Sequence, residues 1–372
     1  MSSQGISAPQ GFKIHEVTGG PQRALAAVAV EPPLGPLVNF VGSWTGLGFN
    51  TIFRPSQQAV SGSDNVLELN LTQESLDFSA SLGSIPNRGE VQPDIFLNGV
   101  PYLQTVNDVT TPNQSVGIHF EPGIWLSVPA TTDPSVPTPT LTRMASIPHG
   151  ATILAQGTST SSPGAPAIPP VDITPFLTGS VPPNLIPFPS QTASDPATPR
   201  IPKVLPVPGT ALTVADWQDR LSDPNSVIRD ASLGQTISNT VKIEIATNSA
   251  SPLVGGGVQD IAFLVGNANP NASAVTMTAT FWIETVAFNL PVPVMVAATT
   301  AILSPSSGIR GLPMPQFAVQ TVSAIPASKS VPVTYTQIQY SQTVMLVFNG
   351  LTWPHVSVST LVPATPIPIS LP

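Results

Sequence analysis

Four histidines, His15, His119, His149 and His355, are the natural bearers of acid–base or ligand chemistry in a 372-residue chain that has no cysteine. The absence of cysteine removes disulfides, iron–sulfur clusters, thiolate zinc sites, a Cys nucleophile and thiolate-ligated haem. No histidine lies two or four residues from another, so no local chelate of the HExxH kind exists and a multi-histidine zinc site has no support. There is no GxSxG elbow for a serine nucleophile and no GxxxxGK[ST] or GxGxxG run for a nucleotide. Carboxylates are few and none forms a close pair, although two distant ones meeting in the fold stay open. What remains is a lone imidazole in apolar surroundings, and a haem asks for little more than an apolar cavity and one axial imidazole.

The chain around these residues must be mostly β. Charged residues make up 9% of it, against roughly 25% in an average soluble domain, and the polar share comes from Ser, Thr, Asn and Gln. Its 45 prolines and 27 glycines disfavour helices of any length. A net charge of −8 leaves no basic cluster to neutralise phosphates, which argues against nucleic acid and against an anionic membrane surface. The opening MSSQGISAPQGFKIHEV has no basic region followed by an apolar run, so a cytoplasmic location is expected. The apolar stretch 290–303 is too short to span a bilayer and carries Pro291 and Pro293.

The elements follow from alternation. Residues 1–35 read as an extended arm ending in prolines, and 363–372 as a tail; between them, 36–362 read as one domain. Ser43–Arg54 is the first convincing strand, and Gly42, Gly46 and Gly48 suggest a bend or a close backbone approach in it. In 66–78, Leu67, Leu69 and Leu71 share a face, but Leu76 and Phe78 fall on the other, so a bulge is expected near Gln73 and Glu74. Further strands are expected at 102–106, 117–120, 124–128, 141–146, 152–157, 237–247, 260–265, 274–286, 335–348 and 355–361. In the insertion at about 158–236, the tract from about 158 to 210 is rich in Pro, Ser and Thr, yet Ile168, Ile173, Phe176, Leu185 and Phe188 are too apolar for a solvated linker. It reads as an ordered insertion lying over a sheet face. Within it, Thr213 and Asp216 form a capping-box pattern and Asp223-Pro224 a second cap, giving one or two short helices. Val344 to Phe348 is apolar on both faces, so its outer face needs a cover.

Two segments then resemble a known family. Gly42-Ser-Trp44-Thr-Gly46-Leu-Gly48-Phe-Asn-Thr51-Ile52 is similar to the opening strand of the nitrobindins, and Trp353-Pro354-His355-Val356-Ser357 looks like their closing strand. The resemblance spans about residues 37–157 and 237–362, with only the two end motifs specific. It implies an antiparallel, lipocalin-like β-barrel around ferric haem b (iron protoporphyrin IX), with His355 as the proximal iron ligand. By the same analogy Thr51, Ile52 and Phe53 line the haem cavity; Trp44 reads as a plug at the barrel base rather than a ligand contact. The chain departs from a bare nitrobindin barrel in its length, through the 158–236 insertion and the loop at 287–330. If His355 points inward, Val356 and Val358 face out and need the cover that 344–348 also demands.

His149, in Ser146-Ile-Pro148-His149-Gly150, and His119, in Gly117-Ile-His119-Phe-Glu121, are the two candidates for a distal residue that hydrogen-bonds the iron's small ligand. The Pro and Gly beside His149 equally suit a plain turn, and His15 reads as structural or exposed. The expected partner is a small ligand or oxidant: nitric oxide, peroxynitrite or peroxide. A polar distal side would make the protein a haem-dependent peroxidase, an apolar one a slow ligand binder or a peroxynitrite isomerase. A haem-free barrel for a hydrophobic small molecule and a structural or shell protein stay open beside it, and low surface charge is compatible with a homodimer.

Overall fold

Antiparallel strands dominate the computed structural model, which describes residues 8–14, 31–59, 62–203, 205, 212–306 and 313–372. Ten strands close into a barrel: β1 (Gly42–Arg54), β2 (Val66–Phe78), β3 (Ile95–Asp108), β4 (Val116–Val128), β5 (Thr140–Ile147), β6 (Ala151–Pro163), β7 (Thr236–Ala246), β8 (Ser273–Val292), β9 (Lys329–Phe348) and β10 (Leu351–Pro363). Each pairs with the next in sequence, and β10 returns to β1, with Trp44 opposite Pro363 and Thr51 opposite Val356. The barrel is therefore up-and-down and leaves none of the ten as an open edge, which suits a chain with few charges to protect one. The two expected strands at 117–120 and 124–128 are one strand, β4, running through Pro122 and Gly123. A Cβ on Gly123 would lie 2.5 Å from both the Met144 carbonyl and the Tyr102 ring, so no other residue fits this crossing.

Inside and outside exchange polarity halfway along the wall. In β1 the even residues point inward: Trp44 sits in the apolar core, and Asn50, Ile52 and Arg54 line an open chamber. The odd residues Phe49 and Phe53 are buried on the outer face. In β2, Leu67 and Leu69 are outside under cover, while Asn70, Thr72, Glu74, Leu76 and Phe78 follow one another down the inside. The bulge expected near Gln73 is absent, since β2 keeps an unbroken register with both β1 and β3. The apolar phase shifts because β2 is apolar outside and polar inside at the chamber end, and apolar inside at the other. β10 repeats the pattern: His355 and Ser357 line the chamber, Val356 and Val358 lie outside, and Leu361 is in the inner core.

The inner core closes one end. A 3-10 turn at Gly35–Asn39 sends Leu37 and Phe40 into the barrel. The Phe40 ring stacks on Phe78 at 4.8 Å and meets Trp125 and Phe281 edge-on at 5.5 and 5.9 Å. Trp44 joins this plug and donates from Nε1 to the Phe40 carbonyl at 2.7 Å. Of the expected 1–35 arm, only 8–14 and 31–35 are described, tied down by Ile14 N–H to the Leu82 carbonyl and Asn98 to the Pro32 carbonyl. His15 lies outside the described residues.

The outer cover is the insertion between β6 and β7. Its Ile173, Phe188, Trp217, Leu221 and Ile228 are buried against Phe49, Phe53, Leu67, Leu69, Val356 and Val358. Trp353 is the hub, with ring centroids at 4.9 Å from Phe53, 4.9 Å from Phe348 and 5.4 Å from Phe188. Two helices lie in the insertion, α1 (Val214–Ser222) and α2 (Ser226–Ala231). The capping box holds at α1: Asp216 N–H donates to Thr213 Oγ1 at 3.1 Å, and Thr213 N–H to the Asp216 carboxylate at 2.6 Å. α2 starts at Ser226, two residues later than Asp223-Pro224 suggests, although Asp223 Oδ1 still accepts from Asn225 N–H as a cap would, and from Val171 N–H as well.

One expected strand fails in the remaining chain, and the tail gains an element. Residues 260–265 are not a strand: Gly257–Asp260 pairs with β6, and Ala262–Val265 forms one helical turn ended by Gly266 at φ 66°. The 363–372 tail contains a strand, Ile367–Leu371, that runs parallel to Phe317–Thr321, with Thr299–Leu303 on its other side. This small sheet buries Phe317, Val319 and Leu371 against Leu290, Val292 and Val333, where β8 and β9 project beyond the barrel.

Because Trp353 is fully buried at the centre of the insertion contact, Trp353→Ala is expected to cost about 3–5 kcal/mol of unfolding free energy. Val254→Ala, at a position 76% exposed, should stay within about 0.5 kcal/mol. Urea denaturation followed by far-UV circular dichroism measures both.

Candidate functional site

The end of the barrel away from the Phe40 plug encloses a chamber of about 510 Å³, inside the range of about 300–1,000 Å³ that small-molecule sites occupy. Three of the four histidines line it. His355 comes from β10, His119 from β4, and His149 from the turn between β5 and β6. Around the ring of ten strands β10 and β4 are four steps apart one way and six the other, which places His355 on the wall opposite His119. The His119 and His149 rings are neighbours, 6.1 Å between centroids.

His355 is a neutral imidazole. Burial pushes its pKa down to about 3, and the charges of His119 and His149 act in the same direction. Asn50 Nδ2 lies 2.6 Å from His355 Nε2 and 2.8 Å from Ser357 Oγ. An amide nitrogen only donates, so Nε2 is the accepting nitrogen and the ring proton sits on Nδ1. The contact continues up the wall, Asn70 Nδ2 donating to Asn50 Oδ1 at 3.4 Å and to Glu68 Oε1 at 3.2 Å. At the rim Arg54 pairs with Glu68 at 2.9 Å.

Two buried carboxylates lie inside the barrel between the chamber and the plug, and they are held differently. Glu74 accepts from Tyr340 at 2.7 Å, Thr72 at 3.1 Å and Gln104 at 3.3 Å. Burial raises its pKa in spite of these donors. Gly48 makes the room: a Cβ there would come within 2.9 Å of Glu74 Oε1 and 2.3 Å of the Val358 carbonyl. Glu121 sits behind His119. Burial acts to raise its pKa, but the Arg143 guanidinium at 2.5 Å and the His119 contact outweigh burial and bring it to about 2. Arg143 is itself buried over the faces of Tyr102, Phe281 and Trp125, at 5.5, 5.7 and 5.8 Å from their ring centroids. Its Nε donates to Tyr102 at 2.8 Å, and Nη1 to the chamber residue Gln342 at 2.7 Å.

Of the residues singled out from sequence, Ile52, His119, His149 and His355 meet at this chamber. Thr51 and Phe53 do not. They occupy odd positions of β1, face outward and are buried under the insertion, Phe53 against Trp353. Glu74, Gln104, Glu121, Arg143 and Tyr340 were not singled out, since each comes from a different strand. A signal was present for one of them: Arg143 alternates with Leu141 and Ala145, both inner-core residues, in a chain where charge is scarce.

Among the described residues, no group of three or more His, Asp or Glu side chains is arranged to hold a bare metal ion, and no helix is long and apolar enough to cross a membrane. No family model matches the chain, and no curated protein does. A crystal structure of Rv2717c from M. tuberculosis is similar at a TM-score of 0.34 and 10% sequence identity, over 90% of this chain and 100% of that one.

Since His355 is depressed from about 6.5 in the unfolded chain to about 3 in the fold, the unfolded state binds the extra proton between these limits. Its contribution to stability is present above pH 6.5 and is lost as pH falls towards 3. His355→Gln should flatten this acid limb by up to about 1.4 kcal/mol per pH unit. Denaturation midpoints of both proteins measured from pH 7 to pH 4 give the difference.

Proposed function

We propose that the chamber binds haem b, with His355 as its axial ligand. The observation that carries this reading is the pairing of walls: one neutral imidazole on β10 across the chamber from two imidazoles, His119 and His149. The donor set fits such a group. His355 keeps its lone pair at any physiological pH, because its pKa is near 3, and imidazole nitrogen is a common haem ligand. Iron would take the place of Asn50 Nδ2 at Nε2, leaving Asn50 its second contact, to Ser357. Ile52, Val106, Ile118, Ile147 and Val344 supply apolar contact for a macrocycle, and Arg54 at the rim supplies a cation for carboxylates. When bound, haem supplies an iron centre at which nitric oxide, peroxynitrite or peroxide can react. The chain's part is to hold the ring, to exclude bulk water with the plugged end, and to offer His119 or His149 for proton transfer on the side away from His355. A polar side of that kind favours a peroxidase-like activity over passive ligand storage.

A second reading has its own support: Nε2 of His355 is already satisfied by Asn50, and Glu74 by three donors. A chamber so complete in hydrogen bonds suits a haem-free binder of a small, mostly apolar molecule.

Titration with hemin separates the two. Haem binding predicts a Soret band that saturates at one equivalent and is lost in His355→Ala while the circular dichroism spectrum is kept. A protein that takes up no hemin, or one whose band survives His355→Ala, overturns the assignment.

A further inference from the structure

We propose that His119, not His149, is the acid–base group of the chamber, and that Glu121 and Arg143 act behind it as a positioning relay; its catalytic use rests on the haem reading, its geometry does not. The two histidines differ in what holds them. His149 is exposed in a turn, and its Nε2 lies 3.2 Å from a backbone carbonyl, that of Ile118. His119 has its Nε2 3.1 Å from Oε2 of Glu121, a carboxylate with no solvent exposure. The other oxygen of Glu121 accepts from Arg143 at 2.5 Å and from the Tyr102 hydroxyl. These two donors occupy Oε1, so Oε2 is left as the acceptor that faces the imidazole.

An ionised carboxylate can only accept. In the neutral ring the proton must therefore sit on Nε2, and the lone pair on Nδ1. No hydrogen bond engages Nδ1 among the described residues, and the ring lines the chamber. Nδ1 is thus the atom that takes a proton from an O–H group of a bound ligand such as a hydroperoxide. The O–H bond breaks, an Nδ1–H bond forms, the ligand leaves as the anion and the ring becomes imidazolium. That cation is offset by Glu121, whose own charge Arg143 has already fixed in the apolar interior. Arg143 also reaches the chamber directly, through Gln342, so the relay begins and ends on the chamber wall. Without Arg143, a carboxylate at this depth would neutralise and release the imidazole.

The test reads the tautomer in the haem-free protein. Long-range proton–nitrogen correlation spectra of ¹⁵N-histidine-labelled protein at about pH 8, well above the ordinary imidazole pKa near 6.5, should show His119 protonated on Nε2. Glu121→Gln should reverse it. The amide oxygen stays with Arg143 and Tyr102, the amide NH₂ replaces Oε2, and a donor there forces His119 Nε2 to accept and its proton to move to Nδ1. His119→Gln and His149→Gln assign the peaks. A wild-type His119 protonated on Nδ1, or a folded Glu121→Gln that keeps the wild-type tautomer, overturns the proposal; should that variant not fold, the wild-type spectrum alone decides. In protein that binds hemin, Glu121→Gln and His119→Gln should each lower kcat for peroxide about 10²-fold at unchanged KM. A similar loss in His149→Gln with none in His119→Gln also overturns it. If hemin is not bound but the tautomer reverses as expected, the haem reading fails and the relay stands.

Discussion

A ten-stranded barrel is too wide for its own side chains to fill. Eight strands leave an interior just large enough to be packed or to hold one small ligand, and two more strands add space that must be plugged or left open. This chain does both. Phe40, Trp44, Phe78, Trp125 and Phe281 fill one end, and the other end stays a chamber. Residues facing the chamber are free to be polar, so the apolar residues that hold those strand segments together move to the outside of the wall. That outer surface would be exposed to water without the insertion at 164–235, and with it becomes a second core around Trp353. Chamber, inverted wall and insertion are one solution to one geometric problem.

Much of this was legible in the sequence where alternation is regular. The inner face of β8, from Met277 to Ile283, reads directly. So does the opposition of His355 to Val356 and Val358, which required a cover that the apolar insertion supplies. Reading failed where alternation changes meaning without changing register. In β2 the shift from Leu69 to Leu76 resembles an extra residue, but it marks the passage from a covered outer face to a filled inner one. The same inversion placed Thr51 and Phe53 in the chamber by analogy, although parity alone sets them with Phe49 on the outside. The carboxylate network was invisible for a different reason. Glu74, Gln104, Glu121, Arg143 and Tyr340 meet only because β2, β3, β4, β5 and β9 surround one axis, and no local pattern announces such a meeting.

The polar layer between plug and chamber keeps two carboxylates in opposite conditions within a few side chains of each other. Glu74 is held by neutral donors, and burial outweighs them and the charge of His119, so its pKa rises. Glu121 has Arg143 and stays charged. Environments that drive like groups apart in this way are a recurring property of sites that handle protons. Here the difference comes from a single guanidinium held by aromatic faces below and by Tyr102 and Gln342 beside it.

The two walls of the chamber are not built alike. Behind His355 lie Val356, Trp353 and the packed insertion. On the opposite side β4 leaves Val116 and Phe120 54% and 39% exposed, with no second layer over them among the described residues. Segments with fewer buried apolar contacts open locally at lower free energy. The two flanks therefore differ in what must be unpacked before they open: the second core around Trp353 on one, and a single described layer at Val116 and Phe120 on the other.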